Sequence, residues 1–244
     1  MQSPRAAGAQ GGHRTEQLLN VHGIKVPVTA NDVSPVIWQA LTDGSYEAKE
    51  ARSVHKAVQP GDNVLELGSG IGIITATIAG IEGVSVWAFE ANPATADLAR
   101  RVIVANALDN VMLAQGLLTA GAPGSFHFYV RSDLWMSSMD RNQGPYEYCI
   151  ELSSKNIDRF IVEHQINVLV MDIEGAEHDL LQNAELPGIE RIFLELHDHL
   201  YGLAGIRDMT HALALKGFAY DPRGSHGPCV LFAKDDGVRE YQPE

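Results

Sequence analysis

Residues 63–92 read NVLELGSGIGIITATIAGIEGVSVWAFEAN, and this stretch decides the fold. The apolar run at 63–67 predicts a buried strand, which ends in the glycine phrase at 68–72. Isoleucines recur at the spacing of one helix face across 73–80, and a second apolar run follows at 84–89. The pattern predicts a strand, a glycine turn, a helix and a strand, the unit from which open α/β sheets are built.

The arrangement of the glycines indicates the kind of nucleotide that the turn binds. The phrase is E-x-G-x-G-x-G from Glu66 to Gly72, and Ile73 stands where a dinucleotide-binding turn needs its third glycine. A carboxylate beside the turn would repel a pyrophosphate but attract a cation. S-adenosylmethionine carries a sulfonium and an ammonium group, so the phrase favours this cofactor over NAD. The alternative is a glycine turn that only lets a helix pack closely on a strand.

The second strand ends in an acidic residue that suits a ribose. Glu90 lies 22 residues after Gly68, where a carboxylate can accept hydrogen bonds from both ribose hydroxyls. Asn92 and Pro93 then predict the cap and first residue of the next helix. We therefore predict that the cofactor is bound by Glu66, Gly68, Ser69, Gly70, Gly72, Glu90 and Asn92, and by Asp172 from a later strand.

Composition narrows the class of protein. A chain of 244 residues with 45% hydrophobic content suits one α/β domain with a sheet covered on both faces. The balance of 18 basic and 31 acidic residues gives a net charge of −13, which argues against nucleic acid and anionic membranes as partners. Cys149 and Cys229 are isolated and are expected to be buried thiols. No signal peptide or membrane span is recognisable, so the sequence predicts a cytoplasmic protein.

The chain divides into three parts around the glycine turn. Residues 1–13 are small, polar and glycine-rich and are predicted to be a disordered tail. Residues 14–60 predict a hairpin and two helices that cover the sheet edge or roof the pocket, and 61–244 form the main domain. Within that domain, glycine turns and alternating aromatics at 119–150 predict an inserted hairpin, either a plain edge hairpin or a substrate-recognition lid. Ser153-Ser154 predicts the start of the next helix.

A second constellation follows two later strands. Asp172 and Glu174 end one strand and would point to the same face in extended geometry. The same alternation brings Glu195 and His197 to one side of the next strand, whereas Glu177 is expected to complement a helix N-terminus. Carboxylates and an imidazole gathered at strand ends beside a cofactor turn predict a catalytic site; the alternative is a solvated acidic loop.

Four segments together carry a family resemblance: VLELGSGIGIITATIA, FEANP, NALDNV and VLVMDIEGAEHDLL. They resemble the FkbM family of S-adenosylmethionine-dependent methyltransferases. The resemblance implies a Rossmann-like, seven-stranded, mostly parallel sheet with an antiparallel last strand, and methyl transfer to a hydroxyl of a small molecule such as a sugar or a polyketide. Two departures are visible. Glu66 replaces the aspartate common in the family, and Gln115-Gly116-Leu117 lacks an acidic residue for adenine, which implies backbone and apolar contacts instead.

Removal of the hydroxyl proton requires a base, and the second constellation offers several candidates. His197 is the first because a neutral imidazole titrates near physiological pH, Asp172 is the second, and Glu195 would orient the imidazole. A divalent cation held by Asp172, Glu174, Glu195 or His197 is an alternative that we do not expect, since no spacing is diagnostic. Two rival functions are a non-catalytic cofactor-binding scaffold, which has no need of this constellation, and an NAD-dependent oxidoreductase, which Ile73 opposes.

Overall fold

The computed structural model describes residues 16–133, 136–234 and 237, so the predicted tail at 1–13 lies outside the described residues. The described elements are, in chain order, β1 (Gln17–Val21), β2 (Ile24–Val28), α1 (Pro35–Asp43), α2 (Ala48–Ala57), β3 (Asn63–Leu67), α3 (Ile73–Ala79), β4 (Ser85–Glu90), α4 (Pro93–Ala105), β5 (Val111–Gln115), β6 (Leu117–Thr119), β7 (Ser125–Val130), β8 (Tyr148–Asn156), α5 (Ile157–His164), β9 (Val168–Met171), α6 (Glu177–Asn183), β10 (Arg191–Glu195), α7 (Asp198–Leu215), β11 (Phe218–His226) and β12 (Cys229–Lys234).

Seven strands form the central sheet, in the order β11-β12-β10-β9-β3-β4-β5. The neighbours from β10 to β5 pair in parallel, whereas β12 is antiparallel to both β10 and β11. The predicted α/β fold, with a mostly parallel sheet and an antiparallel last strand, is confirmed. The order reverses between β3 and β9, so the crevice beyond their carboxyl ends is where such sheets bind ligands.

Helices cover both faces of the sheet, and strand alternation decides which residue meets which layer. Leu65 and Leu169 pack toward α5, α6 and α7, while Val64 and Val168 pack toward α2 and α3. All four side chains are fully buried, which is why these strands read as continuous apolar runs rather than alternating ones. Within the described residues, no helix combines the length and apolar character needed to cross a bilayer.

The N-terminal segment packs on the outside of the nucleotide unit. The hairpin β1–β2 and helix α1 share an apolar cluster with α3 and α4, in which Val26, Ile37 and Leu98 are buried. Helix α1 begins after Ser34, whose side chain accepts a hydrogen bond from the Ile37 backbone, and ends at Gly44 in left-handed geometry. The chain then turns back through residues 45–47 over the carboxyl edge of the sheet, which places that turn at the cavity described in the next subsection.

The insertion is longer than the sequence indicated. Strands β7 and β8 pair antiparallel, and β6 pairs with the last residues of β8. The prediction that Ser153-Ser154 begins a helix is wrong, because both residues lie in β8. Helix α5 begins only after Asn156, whose side chain accepts from the Arg159 backbone. Pairing with β6 and β7 extends the strand past a serine pair that, in isolation, is typical of a helix cap.

Candidate active site

A cavity of about 520 Å³ opens at the carboxyl ends of the parallel strands. Its walls come from the glycine turn after β3, the end of β4 with the start of α4, the turn after β9 with the start of α6, the start of α7, residues 46–47 and the insertion. The residues that carry its chemistry are Tyr46, Glu47, Gly68, Gly70, Glu90, Thr95, Asp172 and Glu174. Residues of both predicted constellations therefore line one cavity.

The glycine turn brings backbones into contact where side chains would collide. Gly68, Gly70 and Gly72 all have positive φ angles, of 81°, 52° and 88°. A Cβ atom on Gly68 would lie 1.7 Å from the carbonyl oxygen of Asp172, and one on Gly72 would lie 3.2 Å from the Cα of Ala99. Gly72 thus serves the close packing of α3 on α4, while Gly68 holds the turns after β3 and β9 together and Gly70 faces the cavity.

Glu90 is fixed by the turn that it faces. Its Oε2 accepts a hydrogen bond from the Gly70 backbone at 2.9 Å, and its Oε1 accepts from the Asn92 backbone at 2.8 Å. Burial raises the pKa of this carboxyl to about 7, although the backbone hydrogen bonds oppose the rise. Glu90 lines the cavity, so its carboxylate can also accept a hydrogen bond from a ligand that lies there.

Asn92 and Ser69 lie next to Glu90 and Gly70 in the chain or in space but do not line the described cavity. The Asn92 side chain accepts from the Ala94 backbone and so caps α4 as predicted. Both residues are buried, and the Ser69 hydroxyl has no hydrogen-bond partner within the described part of the chain. Thr95, in the first turn of α4, lines the cavity and likewise has an unpartnered, buried hydroxyl. Thr95 carries no signal in the sequence, because a lone threonine in a helix belongs to no motif.

Glu66 lies outside the described lining of the cavity. It is buried in β3 and accepts a hydrogen bond from the Thr75 hydroxyl of α3 at 2.5 Å. Burial raises its pKa to about 8, so the carboxyl is largely protonated at pH 7. Its hydrogen bond with Thr75 instead joins β3 to α3, the two elements on either side of the glycine turn. The expected attraction between a charged Glu66 and a cationic cofactor therefore loses its basis.

His197 lies at the centre of a cluster of carboxylates, here called the His197 cluster, formed with Asp172, Glu174 and Glu177. Its Nε2 is 3.4 Å from Asp172 Oδ1 and 3.5 Å from Glu174 Oε2, and its Nδ1 is 3.4 Å from Glu177 Oε1. Glu177 is fully buried and also accepts from the backbone of the turn after β9, at 2.7 and 2.8 Å. It therefore shapes that turn and faces the imidazole, a role beyond the expected helix-terminus one.

The cluster sets the protonation of its members. Burial lowers the pKa of His197, but the carboxylates of Glu177, Asp172 and Glu174 raise it to about 9 in total. Burial raises the pKa of Asp172 well above its usual range and that of Glu174 to about 7, while His197 opposes both shifts. Near pH 7 the imidazole is thus a cation with a carboxyl group on each side.

Glu195 belongs to a different environment. It is the last residue of β10 and pairs with Cys229 of β12. Burial is the main cause that raises its pKa, and the nearby carboxyl group of Glu50 in α2 is the second. Neither Glu195 nor His197 is among the described residues that line the cavity, whereas Asp172 and Glu174 are. The structure also offers a metal-ligand set that differs from the one considered from sequence: Asp172, Glu177 and His197 each supply an atom within 4.8 Å of the others.

The profile of the methyltransferase FkbM domain matches residues 68–220, which is more than half of the chain. The chain belongs to the FkbM family of S-adenosylmethionine-dependent methyltransferases. The match begins at the first glycine of the turn and includes every member of the His197 cluster. It excludes Tyr46 and Glu47, which the structure brings to the cavity from outside the matched region.

The chain is also similar to a curated protein and to two solved structures. A stretch of 74 residues is 31% identical to ribosomal protein L11 methyltransferase from Bacillus cereus and covers 30% of this chain but only 24% of that protein. TYW2 from M. jannaschii, solved in complex with AdoMet, has a TM-score of 0.50 at 14% identity, over 91% of this chain and 86% of its own. Trm5b from Pyrococcus abyssi scores 0.49 at 16% identity, over 91% of this chain and 56% of that chain.

The cavity of this FkbM protein has the chemistry that a cationic cofactor needs. Its described lining contains neither lysine nor arginine. It contains six carboxyl groups, those of Glu47, Glu90, Asp140, Asp172, Glu174 and Asp179. Apolar residues such as Phe89, Leu118 and Phe128 line it as well. Acidic groups without a cation in the lining, next to an apolar surface, fit a ligand that carries sulfonium and ammonium charges and an adenine ring.

Proposed function

We propose that the protein is a S-adenosylmethionine-dependent O-methyltransferase that acts on a hydroxyl group of a small molecule, such as a sugar or a polyketide. One observation carries the proposal. Asp172 and Glu174 line the same cavity as Gly68 and Glu90, and His197 stands within 3.5 Å of both carboxylates. A proton acceptor thus lies beside the surface proposed to hold the methyl donor.

The cofactor, when bound, supplies a methyl group that is already electrophilic, and its ribose would be held by Glu90 beside the Gly68–Gly70 turn. The protein then has to orient the acceptor hydroxyl and take its proton. Orientation contributes up to roughly 7–11 kcal/mol in favourable cases, and a general base contributes on the order of 10²–10⁴-fold in rate. Removal of the proton is the step for which this chain needs a specific side chain.

We assign that step to Glu174, with Asp172 as the second candidate. Glu174 lines the cavity, and its pKa of about 7 lets the carboxylate accept a proton near neutral pH. Its φ angle of 53° is left-handed, a costly conformation for a glutamate and one that is typical of functional sites. His197, buried and largely protonated, is a poor base and serves better as the positioning residue that holds both carboxylates.

The experiment is methyl transfer from labelled S-adenosylmethionine to a panel of sugars and polyketides, each paired with an analogue that replaces the reactive hydroxyl by hydrogen. Labelled product is expected only where the hydroxyl is present. With an acceptor in hand, Glu174→Gln should lower kcat by about 10²-fold or more and leave cofactor affinity within about threefold. Glu163→Gln, at an exposed position of α5, is the control.

Two results would contradict the proposal. Transfer to amines or carboxylates, with none to any hydroxyl, would exclude the O-methyl assignment. Full turnover in both Glu174→Gln and Asp172→Asn would leave proximity as the source of rate and would remove the base. A scaffold protein that only binds the cofactor would show binding in calorimetry and no labelled product with any acceptor.

A further inference from the structure

The N-terminal turn places an acidic side chain against the glycine turn. Glu47 immediately precedes α2 and has a left-handed backbone, with φ 50° and ψ 28°. A Cβ atom on Gly70 would lie 3.1 Å from Glu47 Oε1 and 3.5 Å from the Tyr46 hydroxyl. Both side chains line the cavity, and both lie outside the segment that matches the FkbM domain.

Within the described residues, hydrogen bonds satisfy the Glu47 carboxylate only in part. Glu47 stands at the cap of α2, yet its side chain makes no capping hydrogen bond. Its Oε2 is enclosed and has no hydrogen-bond partner within the described residues, while the Tyr46 hydroxyl bonds to the carboxylate. A left-handed glutamate and an unpaired carboxylate oxygen both carry an energetic cost. Such costs are typical of sites at which a ligand completes the contacts.

The charges around Glu47 select the kind of ligand. After burial, the carboxyl groups of Asp172, Glu50 and Glu66 are the main reasons why the pKa of Glu47 lies well above its usual range. This environment disfavours an anionic group directly beside Glu47 and favours a cation, which would relieve the repulsion between the carboxyl groups. No lysine or arginine lines the described part of the cavity, so the cation has to come from the ligand.

We propose that Glu47 binds the ammonium group of the cofactor's methionine part and that Tyr46 holds the carboxylate in position for it. The inference rests on the proposed function, since it takes S-adenosylmethionine as the ligand. Glu90 accepts a hydrogen bond from the Gly70 backbone nitrogen, and Glu47 Oε1 lies 3.1 Å from the position that a Cβ atom on Gly70 would take. A ligand whose ribose binds Glu90 extends its amino-acid part across Gly70 toward Glu47. The receptor for that part thus comes from the N-terminal segment rather than from the matched domain.

Calorimetry with three ligands tests the assignment without any acceptor or turnover. S-adenosylhomocysteine has the ammonium but no sulfonium, its deamino analogue lacks the ammonium alone, and methylthioadenosine lacks the whole amino-acid part. Glu47→Gln should weaken S-adenosylhomocysteine by about tenfold to hundredfold, the scale of one charged hydrogen bond. The same variant should change the other two ligands by less than about threefold.

Two matched variants keep the experiment decisive. Glu90→Gln should weaken all three ligands to a similar extent, because all contain the ribose. Glu47→Gly removes the carboxylate and suits the left-handed backbone, so it should give the same selective loss in a protein that remains folded. Thermal unfolding without ligand should show both Glu47 variants at least as stable as the parent, since each removes a carboxylate oxygen that is enclosed without a hydrogen-bond partner. Lower stability in both would indicate a structural role instead.

The failures are distinguishable. If none of the three ligands binds the parent protein, the proposed cofactor is wrong. If they bind but Glu47→Gln weakens the deamino analogue as much as S-adenosylhomocysteine, Glu47 is not the ammonium receptor. If the selective loss appears in Asp172→Asn and not in either Glu47 variant, the ammonium lies at the turn after β9 and the inference is overturned.

Discussion

Replacing Glu66 by glutamine removes a buried acid and keeps the shape of the side chain. In the parent protein this carboxyl is buried in β3 and its pKa is raised to about 8. A carboxyl whose pKa is raised by folding stabilises the fold fully below its unfolded pKa, and that contribution is lost as pH rises through the folded pKa. The parent should therefore lose stability from Glu66 between about pH 4.5 and 8, whereas glutamine has no proton to lose.

The size of the effect follows from the two pKa values. The pKa of a glutamate in the unfolded chain, 4.5, and the pKa of Glu66 in the folded protein, about 8, differ by more than three pH units. One unit corresponds to about 1.4 kcal/mol. Between pH 5 and pH 8 the unfolded carboxyl is mostly ionised while the folded one is still mostly protonated. Integrated over this range, the difference lowers the free energy of unfolding by about 3 kcal/mol. Because the side chain is buried, little of this is screened by solvent.

Urea unfolding at pH 5 and pH 8, on the ligand-free parent and Glu66→Gln, measures this change. The free energy of unfolding of the variant relative to the parent should rise by about 3 kcal/mol from pH 5 to pH 8. Because both proteins contain the same other acids, comparing them at both pH values cancels the contribution of those acids to the pH dependence of stability. Glu163→Gln, an exposed substitution on α5, should show no such rise. The reasoning would be refuted if the difference in unfolding free energy between variant and parent changed by less than about 0.5 kcal/mol from pH 5 to pH 8. This threshold is the usual size of the effect of a surface substitution.

Three further outcomes follow from the site. Replacing His197 by asparagine removes a cation 3.5 Å from Glu174, so the rising limb of the kcat/KM profile should move about 1–3 pH units to higher pH; an unmoved limb would exclude this coupling. Glu90→Ala should weaken cofactor binding by roughly 1.5–3 kcal/mol in calorimetry. Gly68→Ala should lower the free energy of unfolding by about 1–3 kcal/mol more than Gly121→Ala, which is also left-handed but has open space.

The requirement for a metal is a separate prediction. Asp172, Glu177 and His197 can hold an ion, but a metal needs a neutral imidazole, and three carboxylates favour the protonated one. We therefore expect chelator to leave methyl transfer unchanged. Loss of activity that added Mg²⁺ or Mn²⁺ restores would show that the ion organises the cluster.

The nucleotide unit could be predicted from the sequence because its signals are local. The glycine phrase, the periodic isoleucines and the Asn92 cap each act within a few residues, and the structure has the strand, turn, helix and strand where the pattern predicted them. The limits of β8 could not be predicted in the same way. They depend on pairing with β6 and β7, and the serine pair at 153–154 gives a contrary local signal.

The predicted geometry of the second constellation relied on the alternation of side chains along a β-strand, which applies only within the strand. Alternation placed Glu195 and His197 on one side, but β10 ends at Glu195, and His197 has φ −101° and ψ 66° at the start of α7. Its ring therefore meets Asp172, while Glu195 faces Glu50. Glu174 also leaves extended geometry, yet its left-handed backbone still delivers the carboxylate to His197.

The acids of the cavity connect stability to function. Burial raises the pKa of each of four carboxyl groups that line the cavity: Glu47, Glu90, Asp172 and Glu174. Without a cation in the described lining, ionisation of any of them disfavours ionisation of the others, so the ligand-free fold loses stability as pH rises. A cationic ligand reverses that penalty where it binds, and its binding then stabilises the fold by mass action. The same residues that weaken the empty protein at neutral pH thus increase its preference for a positively charged cofactor over a neutral nucleoside.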